Sequence, residues 1–470
     1  MEHVRICRFC GHINPAEETA RCNNCRSFSG LTTVPRAEGE QIARRKRLGY
    51  FRSRLIRFLL VLAPIIGLAL WVSWDFLDLA PNPLGPTTNV GASVGSQTWA
   101  QARRTPENTG YTPDPAPFPH KVEWTFATSR PLVSSPAVVG DRVYLTTEDG
   151  RAVALDRQTG QLLWEYHSGF PSSSTPAVAG RSVLVAFRPG LIAALNRETG
   201  SVQWERNIKS PILASPIVVD GTMYVGAADG KLYAFDAAAG GLRWAFESSD
   251  WITSPVAYAE DTVIVMPQDS QVHVLDTNTG RNRLTYDTGR GRRSPGGPAI
   301  QGDLAYFGSF GGRVWAIDRH AKNYPLDRPI LFLKANLYVW GLLASPPIQR
   351  GSVWATNLGG GDVTEAPAVA HDMVYATTVQ GKVVALDGIT GAERWSTQLE
   401  FKITAAPTVA GDTLLIGTEE GIVFGLDAHS GETLWEFQTG GKITGSPIVA
   451  GQTMYVVSHD GKLYAVSGKE

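Results

Sequence analysis

Cysteine is scarce in this chain of 470 residues: four are present, and all four lie within the first 25 positions. Disulfide bonds therefore do not stabilise the larger part of the protein. An excess of one charge is also lacking, because 43 basic and 44 acidic residues give a net charge of -1, and nucleic-acid binding is not expected. Glycine, by contrast, is abundant, and its many turns between short β-rich runs indicate an all-β architecture.

One long apolar run interrupts this pattern. Phe58 to Trp74 carries no charged residue over 17 positions, which is enough to span a hydrocarbon core of about 30 Å. A buried helix of a soluble domain is the alternative, but such a helix would have a polar face, and this run has none. We predict a single transmembrane helix over residues 55–79.

The charges on either side of this run predict its orientation. Residues 41–57 contain no acid but seven basic residues: Arg44, Arg45, Lys46, Arg47, Arg52, Arg54 and Arg57. Asp75 and Asp78 follow the run, and no further cation occurs before Arg103. The positive-inside rule then puts the N-terminus in the cytoplasm and the rest of the chain outside, in a single-pass protein of the cell membrane. The run starts too far from Met1 for a cleaved signal peptide.

The four cysteines form two Cys-x-x-Cys pairs separated by 11 residues: Cys7, Cys10, Cys22 and Cys25. Two such turns supply four thiolates, the tetrahedral set that structural zinc prefers. Disulfides are one alternative, but they need an oxidising compartment, and the predicted topology puts this segment in the reducing cytoplasm. Iron binding or a redox role of the thiols stays open as the other alternative. Residues 1–30 are therefore predicted to be a zinc ribbon, 31–54 a basic linker and 80–98 a flexible spacer.

From about residue 120 a unit of some 40 residues recurs eight times. Each copy opens with a proline before a short apolar strand: Pro136, Pro176, Pro216, Pro255, Pro298, Pro367, Pro407 and Pro447. A second strand follows, then a third such as GKLYAFD and a fourth such as GETLWEF. Four short strands in about 40 residues are typical of a propeller blade, so the pattern predicts an eight-bladed β-propeller over residues 99–470.

A tryptophan recurs on the fourth strand of most units: Trp164, Trp204, Trp244, Trp354, Trp395 and Trp435. The eighth unit ends without such a strand, whereas Trp124 precedes the first unit with no repeat before it. We therefore expect the strand around Trp124 to complete the last blade and close the ring. Because these indoles repeat, they are interpreted as structural residues that dock neighbouring blades.

The unit A-x-D-x-x-T-G-x-x-x-W stands at residues 154–164 and again at 385–395. It resembles the tryptophan-docking motif of the pyrroloquinoline quinone (PQQ) repeat family, and residues 99–111 resemble the lead-in segment of such propellers. One branch of that family implies dehydrogenases that use PQQ and calcium, and its alcohol-oxidising members carry a disulfide of adjacent cysteines. No cysteine follows Cys25 and no acidic cluster is placed for calcium, so PQQ is not expected.

The other branch is non-catalytic and is similar to the propeller subunit of the outer-membrane β-barrel assembly machine. That subunit is a scaffold without a cofactor, and no catalytic set of residues is found in the present sequence either. The preferred interpretation is therefore a membrane-anchored, extracytoplasmic protein-binding or assembly scaffold. A PQQ-dependent oxidoreductase and a transmembrane sensor that signals through the zinc ribbon remain the alternatives.

Two irregular places are candidates for contacts with partners. The fifth unit contains an insertion over 319–353, whose apolar stretch is expected to pack on the ring, touch a membrane or bind a partner. Its candidate contact residues are Leu331, Tyr338 and Trp340. A neighbouring loop carries Arg290, Arg292 and Arg293, whose guanidinium groups suit anionic ligands if the loop is not simply solvated.

Overall fold

The computed structural model of the chain describes residues 3–15, 20–76, 87–88, 91, 95–118, 121–289 and 295–468; the side chains of 47–55 and 69–76 are excepted. The chain divides into two compact units, Met1–Pro81 and Asn82–Glu470. Each has its own sheet structure. Strands and helices are numbered in chain order.

The first unit holds a small antiparallel sheet of order β2-β1-β3, formed by β1 (His3–Cys7), β2 (Ile13–Asn14) and β3 (Leu31–Pro35). Helix α1 (Arg36–Phe76) follows directly. Residues 31–54, interpreted from sequence as a linker, therefore lie in β3 and α1. The reason is that β3 pairs with β1 along its whole length, and the residues after it are good helix formers such as Ala, Glu, Gln and Arg.

The structure does not support the predicted transmembrane helix over 55–79 in the part of the chain whose side chains are described. None of the helices in that part of the chain is both long enough and apolar enough to cross a membrane. Position 55 and positions 69–79 of the predicted span lie outside those residues.

The second unit is an all-β, propeller-like fold. In its described residues the strands form eight sheets, in each of which four strands pair in antiparallel order; in seven of them the four strands are successive in the chain. The first strands are β6 (Ala137–Val139), β10 (Ala177–Ala179), β14 (Ile217–Val219), β18 (Ala257–Ala259), β22 (Ala299–Gln301), β26 (Ala368–Ala370), β30 (Thr408–Ala410) and β34 (Ile448–Ala450). The second strands are β7 (Arg142–Thr146), β11 (Ser182–Phe187), β15 (Thr222–Gly226), β19 (Thr262–Val265), β23 (Leu304–Ser309), β27 (Met373–Thr377), β31 (Thr413–Gly417) and β35 (Thr453–Val457).

The third and fourth strands complete each sheet. The third strands are β8 (Arg151–Asp156), β12 (Leu191–Asn196), β16 (Lys231–Asp236), β20 (Gln271–Asp276), β24 (Arg313–Asp318), β28 (Lys382–Asp387), β32 (Ile422–Asp427) and β36 (Lys462–Ser467). The fourth strands are β9 (Leu162–His167), β13 (Val202–Asn207), β17 (Leu242–Glu247), β21 (Asn282–Asp287), β25 (Ser352–Asn357), β29 (Glu393–Gln398), β33 (Thr433–Gln438) and β5 (Lys121–Ala127). A two-residue strand, β4 (Tyr111–Thr112), adds to β30 in parallel, and helix α2 (Asp327–Val339) lies in the insertion between β24 and β25.

The last sheet joins the two ends of this unit. Strand β5 pairs antiparallel with β36, with Trp124 opposite Ala465, as the unmatched tryptophan before the first repeat predicts. The sheet is therefore made of three C-terminal strands and one strand from some 340 residues earlier. Without β5, the outer edge of β36 would have no strand partner.

Tryptophans of the fourth strands connect one sheet to the next. The indole N–H of Trp164 donates to the carbonyl of Arg197, in the turn that precedes the next sheet's fourth strand, over 3.0 Å. Five more indoles make the equivalent bond at 2.9–3.1 Å: Trp124, Trp204, Trp244, Trp354 and Trp395. Trp435 is buried in the core between the last two sheets, and Leu284 is fully buried at the equivalent place in the fourth sheet.

The turn that receives each indole needs glycine. Gly200 has a positive φ of 72°, and a Cβ there would lie 2.7 Å from the Trp164 ring. Glycine therefore provides both the left-handed backbone and the space for the indole. The Asp/Asn-to-Gly turns that the sequence repeats are thus part of the same contact.

Candidate functional site

The four cysteine thiols lie together in the first unit. Their sulfur atoms are all within 4.8 Å of one another, with 3.6 Å between Cys7 and Cys25 and 3.4 Å between Cys10 and Cys22. Zn–S bonds of about 2.3 Å would place tetrahedral sulfurs about 3.8 Å apart, a spacing that lies within the range of distances in this cluster. All four are free thiols, and three are buried.

Backbone N–H groups act to stabilise the thiolates of Cys22 and Cys25, whereas burial and the neighbouring thiols oppose them. Burial acts to raise the pKa of Cys22, but the N–H groups of Cys25 and Asn24 outweigh it and lower that pKa to about 6. The Ser27 N–H acts to lower the pKa of Cys25, whereas burial and the three neighbouring thiols raise it to about 12. Four thiolates repel one another without a cation between them, and a divalent metal removes that repulsion.

A side-chain amide supports the cluster from outside. Asn14 directs its Nδ2 toward the Cys22 sulfur at 3.8 Å, and its Oδ1 accepts from the N–H of Asn23 over 2.8 Å. Contacts of this kind hold metal ligands in orientation. The donor set therefore fits a closed, structural tetrahedral metal site, with no ligand position left for a substrate.

The predicted contact residues of the insertion lie on or beside α2. Leu331 is half-buried, whereas Tyr338 and Trp340 are exposed, and no residue of α2 is fully buried. The insertion is held to the ring by Asn323, whose N–H donates to the Arg283 carbonyl and whose Oδ1 accepts from the Thr285 N–H. Part of the insertion thus packs on the edge of β21, but the helix itself does not bury its apolar side. Arg290, Arg292 and Arg293 lie outside the described residues.

The sequence did not predict the path of residues 99–114, here called the axial segment. It passes the first strands of all eight sheets in turn and accepts a backbone N–H from the middle residue of seven of them. These seven donors are Val138, Val178, Val218, Tyr258, Ile300, Val369 and Val409, at 2.7–2.9 Å. At the eighth sheet, the N–H of Gly451 donates to the Asp114 carboxylate over 2.7 Å.

The axial segment borders a central cavity of about 220 Å³. The loops that precede the first strands of all eight sheets line this cavity, so the sheets surround a common centre. Most of the lining is small or hydroxyl-bearing, with Arg103 and Asn108 contributed by the axial segment and Glu365 by the sixth sheet. Glu365 stands two residues before Pro367, where the other seven units have Ser, Thr, Ala or Gly. This difference from the other seven units is the signal in the sequence that could have identified Glu365 as a cavity residue.

Arg103 bridges two sheets at this cavity. Its guanidinium donates to the carbonyls of Pro367 and Pro407, and burial lowers its pKa to about 10. Burial likewise raises the pKa of Glu365 to about 7, against the opposing charge of Arg103. The cavity therefore contains a guanidinium group that is already bonded to two carbonyls and a carboxyl group whose pKa lies near 7.

PQQ is a planar tricyclic quinone with three carboxylates, and a site for it needs a surface for ring stacking and free cationic groups. None of the described lining residues is aromatic, so none can stack on such a ring. The guanidinium that would bind a carboxylate is already bonded to two carbonyls, and the volume lies below the roughly 300–1,000 Å³ of typical cofactor sites. These residues do not fit PQQ.

Comparisons with known proteins agree with this fold. The family model described as "Outer membrane protein assembly factor BamB" matches residues 116–218, 209–322 and 346–470. The crystal structure of BamB from Moraxella catarrhalis is similar with 19% identity and a TM-score of 0.60, covering 74% of this chain and 98% of that one. No curated protein matches the chain at a significant level.

Enzymes and a designed protein share the same architecture. The quinohemoprotein alcohol dehydrogenase from Comamonas testosteroni is similar with 15% identity and a TM-score of 0.62, covering 80% of this chain and 81% of that one. The computationally designed Ika8 protein is similar with 18% identity and a TM-score of 0.58, covering 76% of this chain and all of the other. At these identities the likeness shows the fold alone.

Proposed function

The chain belongs to the family described as outer membrane protein assembly factor BamB, and from this membership we propose that it is a non-enzymatic protein-binding or assembly scaffold. The observation that carries the proposal is the course of the axial segment. Residues of the chain itself bond to the inner strands of every sheet and occupy one side of the central cavity. The remaining cavity does not fit a planar cofactor, which leaves the outer surfaces of the ring for contacts with partners.

The ring in this proposal is a closed propeller of eight blades. Its support comes from the eight sheets, the pairing of β5 with β36, and the one cavity that all eight sheets line. A closed ring presents loops on two faces while its sheets stay fixed, and loops on a rigid frame are suited to binding partners.

The second candidate function is a PQQ-dependent oxidoreductase. It is favoured by the similarity to a quinohemoprotein alcohol dehydrogenase and to a europium-containing methanol dehydrogenase, the latter with a TM-score of 0.62. Those cofactors and activities belong to the named proteins. In the present chain the composition of the central cavity opposes this function.

Incubation of the purified full chain with PQQ and calcium separates the two functions. We expect no stoichiometric uptake of PQQ by absorbance after gel filtration, and no dye-linked oxidation of alcohols or sugars. Stoichiometric uptake together with oxidation would refute the scaffold proposal. A quinoprotein dehydrogenase reconstituted in parallel is the positive control.

Crosslinking tests the scaffold function directly. A photoreactive residue at an exposed ring position, such as Trp251, should capture one recurring protein in cells that express the full chain. The same residue at buried Leu184 is the matched control and should capture none. Failure of every exposed position to yield a specific partner would count against the proposal.

The proposal also includes the cellular location of the ring and the metal bound by the four thiols. We place the ring outside the cytoplasm, behind a helix over 55–79, because basic residues precede that segment and acidic residues follow it. Zinc is the proposed ion of the four thiols. Resistance to extraction with alkaline carbonate, together with digestion of the ring by protease added outside spheroplasts, would support this location; digestion only after lysis would refute it.

A further inference from the structure

The first unit has a cationic surface that the net charge of the whole chain conceals. Its described residues 3–15 and 20–35 contain four arginines and no acidic residue. Three of these arginines, Arg8, Arg21 and Arg26, are exposed. A cluster of cations without intervening acids attracts anionic partners, and it attracts a polyanion most strongly because many charges act together.

Two aromatic rings stand among these charges. Phe9 is 61% exposed and Phe28 is 66% exposed, and no other large apolar side chain is exposed in the described part of residues 3–35. The guanidinium of Arg21 lies over the Phe28 ring, 3.6 Å from its centre. The Phe9 ring packs beside Gly30, where an added Cβ would lie 2.7 Å from it. Both rings therefore border the loop that follows the second Cys-x-x-Cys turn.

The neighbours of the two rings favour one class of anionic partner over another. Asn23, Asn24 and Ser29 are exposed between them, so the rings do not form a continuous apolar side. A surface that inserts into anionic lipid needs such a side. Isolated flat rings beside guanidinium groups suit nucleobases, which stack on Phe and Arg while cations meet the phosphates.

We propose that Arg8, Phe9, Arg21, Arg26 and Phe28 form a surface that binds single-stranded nucleic acid. The two rings stack on unpaired bases, and the arginines bind the phosphates between them. Every base has an aromatic face, so little dependence on sequence is expected. This inference concerns the first unit and does not depend on the scaffold proposal, and the expectation of no nucleic-acid binding then applies to the ring alone.

Fluorescence anisotropy tests this surface with the purified full chain carrying its metal. The probes are short fluorescein-labelled oligouridine and oligothymidine strands, and a duplex of the same length. We expect saturable binding of the single strands that weakens as salt rises, because bound cations release counterions from the phosphates. The duplex should bind more weakly, since its bases are already stacked and paired. Tighter binding of oligouridine than of oligothymidine would identify RNA as the ligand through its 2′-hydroxyls, and the reverse order would identify DNA.

Substitutions separate stacking from simple attraction of charge. Phe9→Leu and Phe28→Leu keep an apolar side chain but lose the ring, and each should weaken binding about fivefold or more. Phe28→Trp should restore or increase the affinity. Trp251→Leu, at an exposed position of the ring unit, is the matched control and should change nothing. Retention of bound zinc shows that each variant of the first unit is folded.

The arginines have a separate readout. Arg21→Gln and Arg26→Gln should each lower the slope of log affinity against log salt by about one. Absence of saturable binding to either strand would overturn the proposal, as would equal affinities of wild type and both Phe→Leu variants. Binding to vesicles that contain phosphatidylglycerol, lost in the Phe→Leu variants and without any binding of single strands, would assign the surface to lipid and refute it. None of these results alters what crosslinking at Trp251 reports about the scaffold.

Discussion

Two side chains of opposite charge, 262 positions apart in the chain, face the same central cavity. Arg103 is stabilised there by carbonyls, the acceptors that a desolvated guanidinium needs. No direct ion pair between Arg103 and Glu365 is found in the described residues, and burial dominates the pKa of the carboxyl group. A carboxyl in this position resists ionisation because the ring removes it from water.

Replacing Glu365 with Gln should change how stability depends on pH. The pKa of Glu365 rises from 4.5 in the unfolded chain to about 7 in the fold, so the folded state binds the proton more tightly. Its contribution to stability is therefore present below pH 4.5 and is lost as pH rises to about 7. The difference in thermal midpoint between the wild-type protein and the Glu365→Gln variant should therefore become smaller, and then change sign or level off, as pH rises from 4.5 to about 7. The exposed acid Glu432, changed to Gln, is the control, and a constant difference for Glu365→Gln would contradict the assignment.

The axial segment is the element that connects the whole ring. Its contacts to the inner strands are almost all made by backbone carbonyls, but at the third sheet the acceptor is the side chain of Gln101, which receives the Val218 N–H over 2.9 Å. Gln101 is fully buried. The hydrogen bond is therefore inaccessible to water.

Gln101→Leu should destabilise the ring. The substitution removes the acceptor and leaves the Val218 N–H buried without a partner, which costs about 1–3 kcal/mol. Urea denaturation followed by tryptophan fluorescence measures the shift of the midpoint. Gln158→Leu, in the exposed turn of the first sheet, should leave the midpoint nearly unchanged. Equal effects of the two variants would mean that the axial segment does not contribute to ring stability.

The whole molecule combines two units that are stabilised in different ways. The ring buries apolar clusters between successive sheets, whereas the first unit centres on Cys7, Cys10 and Cys22 with few other buried side chains. A small unit of this kind obtains much of its folding free energy from its metal. The two units should therefore respond differently to metal removal.

Chelation should unfold the first unit alone. With a strong zinc chelator, calorimetry of the full chain is expected to keep the transition of the ring at the same temperature, while limited proteolysis cleaves within residues 1–35. The Cys22→Ser variant should behave like the chelated protein and lose its bound zinc. A shift of the ring transition by several degrees would show that the two units do not fold separately.

Much of the ring was accessible from the sequence because its information is local and repeated. Pro136 and its equivalents precede first strands, turns such as Asp156–Gly160 receive an indole, and Trp124 lacks a repeat before it; each of these features needs only its neighbours in the chain. The grouping of Cys7, Cys10, Cys22 and Cys25 into one site was equally accessible, because the two Cys-x-x-Cys turns lie close together in the chain.

The features that bear on function were decided by tertiary structure. The sequence by itself determined the strands, the indole contacts, the closing strand and the metal donors, because repetition and short spacing fix them. Only the fold placed the axial segment across every sheet, brought Arg103 near Glu365 and left the apolar side of α2 uncovered. Those outcomes depend on contacts between residues far apart in the chain, and no local pattern specifies which distant backbone atoms or surfaces will meet.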